Sequence, residues 1–246
     1  MIATRSRLIL IGALTFLVGL LVLFPARIVY QWFVPPQVTM SGISGSVWLG
    51  DAQHAEFGGM YVRNLSWRFR PMAMFSGGLG YAIEASPAPG TIAGNVALGP
   101  GGAVSFQDVE GTVPLQSLVQ LANMPGLQGR ISLELERVVL DNGVPVAVDG
   151  EIQISNLVAP IIHRGSIGGY KIEFFTQNSG VMGSVEDTDA VVDLAGSFQI
   201  RPDRSYSFLG LVAPTARTPS NLRQQMQFLG TANERGQYEL RLEGDL

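Results

Sequence analysis

Cysteine is missing from this sequence, and histidine occurs only twice. The absence of cysteine excludes both a disulfide framework and a thiolate zinc site, whatever the compartment. His54 and His163 lie far apart in the chain, and neither has a second histidine or a carboxylate at ligand spacing. The glycine-rich stretch at 99–102 lacks the Lys-Ser/Thr pair that completes a phosphate-binding loop. The sequence therefore predicts a protein without catalytic residues, without a metal site and without a cofactor.

Charged residues are few and unevenly distributed. They make up 15% of the chain against 46% hydrophobic residues, which suits a folded protein. Residues 1–34 contain three arginines and no acidic residue, so the rest of the chain is more negative than the total of −4. A surface of that sign repels nucleic acid phosphates and anionic lipid head groups. We therefore expect no nucleic acid partner.

Two pairs of acidic residues have the spacing of a carboxylate pair. Glu134 and Glu136 share one face of a predicted strand, and Asp187 and Asp189 fall in a predicted loop. Such pairs can carry acid–base chemistry, but exposed strand faces and polar turns have the same composition. We favour a solvated strand face and a polar turn for these two pairs.

A long apolar run near the N-terminus predicts a membrane anchor. From Leu8 to Phe24 no residue is charged, and a helix of that length reaches about 26 Å. Ala26, Ile28 and Val29 can extend it. The alternative is a cleaved signal peptide, but cleavage after Ala26 would put the bulky Phe24 where a small residue is needed.

The flanking charges predict the orientation of this anchor. The two arginines before the run and the amino terminus outnumber Arg27, which favours a cytoplasmic N-terminus. Tyr30, Trp32 and Phe33 follow as an interfacial aromatic belt or, alternatively, as core residues of the first folded segment. The predicted domains are a cytoplasmic tail at 1–7, a transmembrane anchor at 8–29 and a periplasmic β domain at 30–246.

After Pro35 and Pro36 the chain alternates apolar and polar residues, as half-buried antiparallel strands do. One predicted strand places Tyr61, Leu65, Trp67 and Phe69 on its apolar face and Val62, Asn64, Ser66 and Arg68 on the other. Similar alternation recurs near 131–139, 192–200, 206–212 and 238–242. The prediction is a mostly β fold: a curved antiparallel sheet, forming a groove or an open sandwich, with two short helices.

Turn residues separate the strands, and two segments break the alternation. Asn142-Gly143 is the clearest hairpin signal, and Gly168-Gly169 predicts another turn. The segments 114–124 and 219–229 have helical spacing and begin with proline. We expect these helices to plug an open end or to cover an edge of the sheet. The alternative for the second helix is a partner-contact surface made of Leu222, Met226 and Leu229.

Two tryptophan motifs resemble the signature region of protein N of the type II (general) secretion pathway of Gram-negative bacteria. The first is a G-x-x-W-x-G element after the N-terminal anchor, and the second is a W-x-x-x-P element about twenty residues later. The tail from 194 to 238 resembles the same family. The matching residues of the two motifs are Gly45, Trp48, Gly50, Trp67 and Pro71.

The resemblance implies a bitopic inner-membrane protein with its bulk in the periplasm. It implies an accessory role, by protein–protein binding, in a machine that exports folded proteins across the outer membrane, and it implies no enzymatic activity. The expected partners are other inner-membrane platform components and, as a further candidate, the outer-membrane secretin.

The position of Trp48 among small residues suggests a packing role. In an alternating strand its indole shares a face with Ser44 and Ser46. Small neighbours let an indole lie flat across the sheet and cover glycines of an adjacent strand. We therefore expect Trp48 to seal the end of a groove near the membrane, with a surface contact role as the alternative.

The sequence leaves two other hypotheses open. A curved sheet with one apolar face can hold an acyl chain, so the chain is alternatively a membrane-anchored periplasmic carrier of lipid or another apolar ligand. A periplasmic hydrolase is the third hypothesis, and it would depend on one of the two histidines.

Overall fold

One antiparallel sheet, in which nearly every strand pairs with the next along the chain, makes up most of the structure. The computed structural model describes residues 2–34, 38–57, 60–76, 78–87, 89–117, 126–160, 163–177 and 180–245. Its strands are β1 (Val38–Ser41), β2 (Ser44–Gly45), β3 (Leu49–Phe57), β4 (Met60–Arg70), β5 (Leu79–Pro87), β6 (Thr91–Leu98), β7 (Val104–Pro114), β8 (Gln128–Asp141), β9 (Val144–Ala159), β10 (His163–Gln177), β11 (Gly180–Asp187), β12 (Val192–Ile200), β13 (Ser205–Pro214) and β14 (Tyr238–Asp245).

The strand order follows the sequence order. The 14-stranded sheet runs β1-β3-β4 and then consecutively to β14, and β2 pairs with β3 beside β1. Every one of these pairings is antiparallel. The prediction of a mostly β chain built on one large curved antiparallel sheet is confirmed.

Bulges curve the sheet and change the phase of its alternation. Asn64, Asp108 and Asn156 have φ between 50° and 53°, and the strand register shifts at each of them. Asparagine and aspartate tolerate this left-handed conformation better than other residues with a side chain. Because of the bulge at Asn64, Val62 is buried (1% exposed) and Tyr61 is half exposed (49%). The predicted faces of these two residues are therefore wrong.

The turn predictions have mixed outcomes. Asn142 (φ +50°) and Gly143 (φ +79°) form the tight turn between β8 and β9, as predicted. Gly168 and Gly169 instead lie inside β10, at a register shift against β9. A Cβ on Gly168 would lie 2.2 Å from the Cα of Ala190, so close backbone packing explains this glycine pair.

The chain begins with two helices, α1 (Ile2–Val22) and α2 (Ala26–Phe33), separated by a break before Pro25. Taken over the residues that the structure describes, no helix combines the length and the apolar character needed to cross a membrane. A third helix, α3 (Ser220–Met226), continues as a 3-10 turn at Gln227–Leu229, which confirms the second predicted helix. Of the first predicted helix, residues 115–117 are helical and residues 118–125 lie outside the described part.

The apolar core is spread along the sheet in three clusters. The first joins α2 to the early strands and contains Ala26, Ile43 and Ala52. The second lies under the middle strands, around Val113, Leu115 and Ile131. The third joins β12 and β13 to α3 and contains Val192, Val212, Leu222 and Met226.

Candidate functional site

The first tryptophan motif lies where α1 meets the sheet. The indole Nε1–H of Trp48 donates a 2.8 Å hydrogen bond to the Leu21 carbonyl, and the Val47 N–H donates a 3.0 Å bond to the Phe24 carbonyl. Carbonyls in the last turn of a helix have no donor within the helix. The Trp48 indole therefore caps the C-terminal end of α1, and the Val47 N–H bonds the chain just beyond it. We call the loop of residues 46–48 with these contacts the joint.

The conformation of the joint depends on Gly45 and Ser46. Gly45 has φ +81°, and a Cβ there would lie 2.5 Å from the Leu49 carbonyl oxygen. The Ser46 hydroxyl accepts hydrogen bonds from the N–H groups of Trp48 (3.3 Å) and Leu49 (3.2 Å). Residues 46–48 thus form a turn between β2 and β3, and the alternating strand expected through Trp48 does not form.

The indole that covers a glycine belongs to Trp67, not to Trp48. Gly50 and Trp67 are direct cross-strand partners, and a Cβ on Gly50 would lie 2.5 Å from a ring carbon of Trp67. The Trp67 Nε1–H donates to the Ser46 carbonyl at 3.1 Å. Trp48 packs edge-on against Phe69, with ring centroids 4.9 Å apart. The two motifs therefore contact each other. The Trp48 indole N–H bonds the joint to α1, and the Trp67 indole N–H bonds the Ser46 carbonyl within the joint.

Helix α2 attaches to the sheet through buried and hydrogen-bonded groups. Ala26 is buried, and the Arg27 Nε–H donates a 2.7 Å hydrogen bond to the Ile43 carbonyl. The Tyr30 hydroxyl donates to the Val38 carbonyl (3.4 Å) and accepts from the Met40 N–H (3.0 Å). Of the three aromatic residues that follow the apolar run, Tyr30 thus packs on the sheet and Trp32 is exposed. The side chain of Phe33 lies outside the described part.

Pro71, the last residue of the second motif, ends β4. It has no N–H to donate to a neighbouring strand, and a 3-10 helix begins there and extends to Ser76. Three large apolar side chains of this turn, Met72, Met74 and Phe75, are exposed.

The predicted contact residues of α3 lie mostly inside the core. Leu222 and Met226 pack against Val192 and Val212 and are almost fully buried. These two side chains are therefore not available to a partner in this conformation, because the chain's own sheet covers them. Leu229 is partly exposed.

Apolar cavities lie along the face of the sheet on which α2 and α3 pack. One of about 480 Å³ lies between α2 and the early strands and is lined by Tyr30, Ile43, Trp67 and Leu98 among others. A neighbouring cavity of about 260 Å³ shares Leu65, Ile83 and Val96 with it. A third, of about 280 Å³, lies beside α3.

The opposite face carries a row of glutamates. Glu110, Glu134, Glu151 and Glu173 are direct cross-strand partners on β7 to β10. Lys171 forms 2.8 Å ion pairs with Glu151 and Glu173, and these hydrogen bonds raise the pKa of its ammonium group. Like charges placed directly opposite each other are destabilising. Lys171 offsets the charges of Glu151 and Glu173, so the repulsion acts mainly between Glu110 and Glu134.

Asp149 connects three strands beside this row. Its carboxylate accepts hydrogen bonds from the Thr176 N–H (2.8 Å) and from Arg137 (3.1 Å). Burial alone would raise the pKa of Asp149, but the bonds from Thr176 and Arg137 outweigh it and lower the pKa. This carboxylate is a structural group that holds β8, β9 and β10 together.

The histidines do not form a site with each other. His54 on β3 lies against the Tyr61 ring, with centroids 5.7 Å apart, and His163 begins β10. Within the described residues, no group of three histidine or acidic side chains is placed to hold a metal ion. The hydrogen bonds of Arg27 and Tyr30 could not be predicted from the sequence, because no local pattern links these side chains to the backbone of residues 38–43.

Together these features define a class of protein in which a tryptophan-containing loop joins a curved antiparallel sheet to an apolar N-terminal helix. Residues 36–241 match the family model described as Type II secretion system (T2SS), protein N. The chain belongs to this family, and the resemblance of its two tryptophan motifs is confirmed.

Two curated relatives agree with this assignment. The chain is 24% identical to the Type II secretion system protein N of Aeromonas hydrophila, with 96% of this chain and 98% of the relative covered. It is 23% identical to the Type II secretion system protein N of Vibrio cholerae, with 87% of each chain covered. No solved structure matches the chain significantly.

Proposed function

We propose that this component of the type II secretion system is a bitopic inner-membrane protein that acts by binding other proteins, with its sheet in the periplasm. The observation that carries the proposal is the joint, in which a loop of the sheet caps the last turn of an apolar helix. A loop that fixes the helix to the sheet also fixes the orientation of the sheet relative to the membrane.

The side chains of α1 support the part of the predicted membrane anchor that this helix contains, residues 8–22. Large apolar residues such as Leu10, Leu14 and Phe16 are exposed to the surroundings of the helix. An apolar helix surface of this kind is stabilised by lipid or by another protein rather than by water. Arg5 and Arg7 favour a cytoplasmic N-terminus, and the sheet then lies on the periplasmic side.

Binding of other proteins is supported by the free edges of the sheet. Among the described strands, β1 and β14 each pair on one side only, but the Tyr30 hydroxyl already bonds the Val38 carbonyl and the Met40 N–H of β1, so β14 is the more open edge. An edge strand offers unpaired backbone N–H and C=O groups to a strand of a partner. We propose inner-membrane platform proteins as the first partners and the outer-membrane secretin as a second candidate.

Photo-crosslinking in cells tests this function. A photo-reactive residue replaces Leu242, which is exposed on the β14 edge, and in a matched variant Asn142, which is exposed in the β8–β9 turn. We expect adducts with secretion components from position 242 and weaker adducts from position 142. Adducts with unrelated periplasmic proteins at both positions would contradict the proposal.

The apolar cavities favour a second candidate function, the carriage of a lipid or another apolar ligand. The two adjoining cavities near α2 are lined almost entirely by apolar groups, and together they reach from the joint to the middle strands. The test is lipid analysis of the full chain purified in a lipid-free polymer detergent. Stoichiometric lipid that is lost in the variant Ile83→Trp would support carriage, and its absence from both proteins would exclude it.

A further inference from the structure

We propose that the turn between β4 and β5, Pro71–Ser76, inserts into the membrane surface beside α1 and gives the sheet a second contact with the bilayer. This inference depends on the proposed membrane anchor. We call residues 71–76 the apolar turn.

The apolar turn exposes side chains that water solvates poorly. Met72 is 74% exposed, Met74 58% and Phe75 88%. Single exposed apolar residues are common on soluble proteins, but this turn places three of them within four consecutive residues. Such side chains are stabilised when they enter an apolar environment.

Two hydrogen bonds connect the apolar turn to the end of α1. The Phe69 N–H, two residues before Pro71, donates a 2.7 Å bond to the Trp48 carbonyl. The indole of Trp48 in turn donates to the Leu21 carbonyl in the last turn of α1. The apolar turn therefore extends from the end of the sheet at which α1 enters, and a bilayer that surrounds α1 begins at this end.

The surroundings of the apolar turn fit a lipid interface. Leu79 and Leu98 are direct cross-strand partners at the same end of the sheet, and both are about half exposed. Arg68 and Arg70 are exposed near the end of β4, and neither forms an ion pair with a described residue. Arginines beside apolar side chains are typical of membrane interfaces, where guanidinium groups reach lipid phosphates.

Phe228 provides a matched comparison. It is 90% exposed, as Phe75 is, but it follows α3 at the opposite end of the strands. If exposure alone brought a side chain into lipid, both phenylalanines would enter it. Because the joint lies at the same end of the strands as Phe75, we expect only Phe75 to enter the lipid.

The test uses the full chain in liposomes of phosphatidylethanolamine and phosphatidylglycerol. Because the sequence has no cysteine, F75C, F228C and T15C each carry one environment-sensitive fluorophore. Position 15 lies in α1 and reports on the anchor itself. Brominated lipids then quench those fluorophores that lie in the bilayer.

We expect quenching at positions 15 and 75 and none at position 228. Adding M72S and M74S to F75C should reduce the quenching at position 75, whereas adding them to T15C should leave position 15 unchanged. If position 15 is quenched and position 75 is quenched no more than position 228, the inference is wrong and the membrane anchor is still supported. No quenching at position 15 would overturn the anchor and the inference with it.

Discussion

Helices meet the apolar face of the sheet at both ends of the chain, and they do so in different ways. At the C-terminal end, α3 packs Leu222 and Met226 against Val192 and Val212 of β12 and β13 and completes a core cluster. At the N-terminal end, Ala26 is the only described side chain of α2 that is fully buried, and much of the attachment of α2 consists of hydrogen bonds from Arg27 and Tyr30 to the backbone. A cavity of about 480 Å³ remains beside it.

This difference indicates two separate tasks. The helix at the C-terminal end covers apolar surface and stabilises the sheet. The helix at the N-terminal end leaves apolar surface open, and it connects the sheet to α1, whose last turn accepts the hydrogen bond from the Trp48 indole. Substitutions at the two ends should therefore change different properties.

The largest expected effect is at the C-terminal end. Met226→Ala removes a side chain that is 4% exposed and should lower the free energy of unfolding by about 3 kcal/mol. Chemical denaturation of the full chain in detergent measures the loss. Gln224→Ala, on the exposed side of the same helix, is the control and should change stability little. Equal effects of both substitutions would mean that α3 does not complete a core.

Gly50→Ala tests the N-terminal end. The added methyl group would overlap the Trp67 ring and the Ser44 carbonyl, so we expect a loss of about 2 kcal/mol and a change in tryptophan fluorescence. Gly19→Ala is the matched control, because no atom lies within 4 Å of its added Cβ. A fluorescence spectrum unchanged by Gly50→Ala would contradict the contact between the two motifs.

Asp149→Asn tests the middle strands, which neither helix covers. Loss of the charged acceptor for Thr176 and Arg137 should cost about 1 kcal/mol at neutral pH. The pKa of Asp149 is lower in the folded chain than in the unfolded one. The charged carboxylate therefore contributes fully to the free energy of unfolding above the unfolded pKa of about 4, and this contribution disappears as the pH falls through the folded pKa. The stability difference from the natural chain should shrink in acid, and a constant difference would rule out this role of the carboxylate.

The smallest expected effect is a gain. Glu134→Gln removes a charge that lies between Glu110 and Glu151, and should stabilise the chain by about 0.5 kcal/mol. Glu243→Gln is the control, since its cross-strand partner is Ser207. Thermal unfolding of the two variants at low salt gives the comparison. A loss of stability in Glu134→Gln would show that this carboxylate has a favourable contact in the chain.

The sequence predicted those features that depend on local patterns. Alternation identified the antiparallel sheet, Asn142-Gly143 identified a hairpin, and spacing with proline at the start identified α3. The two tryptophan motifs identified the family, and their residues meet in space at the joint.

The remaining features depend on contacts between distant residues. The residues near Trp48 do not indicate that its indole caps a helix that ends at Val22. The alternation around Trp48 therefore predicted a strand. The bulge at Asn64 moves the preceding side chains of β4 to the opposite faces of the sheet. A single asparagine in an alternating pattern is not enough to predict a bulge. The burial of Leu222 and Met226 likewise follows from the position of β12 and β13, which the helix sequence does not contain.

The proposed orientation of the sheet at the membrane requires that the joint hold α1 in a fixed direction relative to the sheet. The most direct measurement is the distance distribution between spin labels at T15C in α1 and E56C in β3, on the full chain in liposomes, with and without Trp48→Ala. We predict a narrow distribution with Trp48 and a broad one without it. Distributions of equal width in both proteins would contradict a fixed joint.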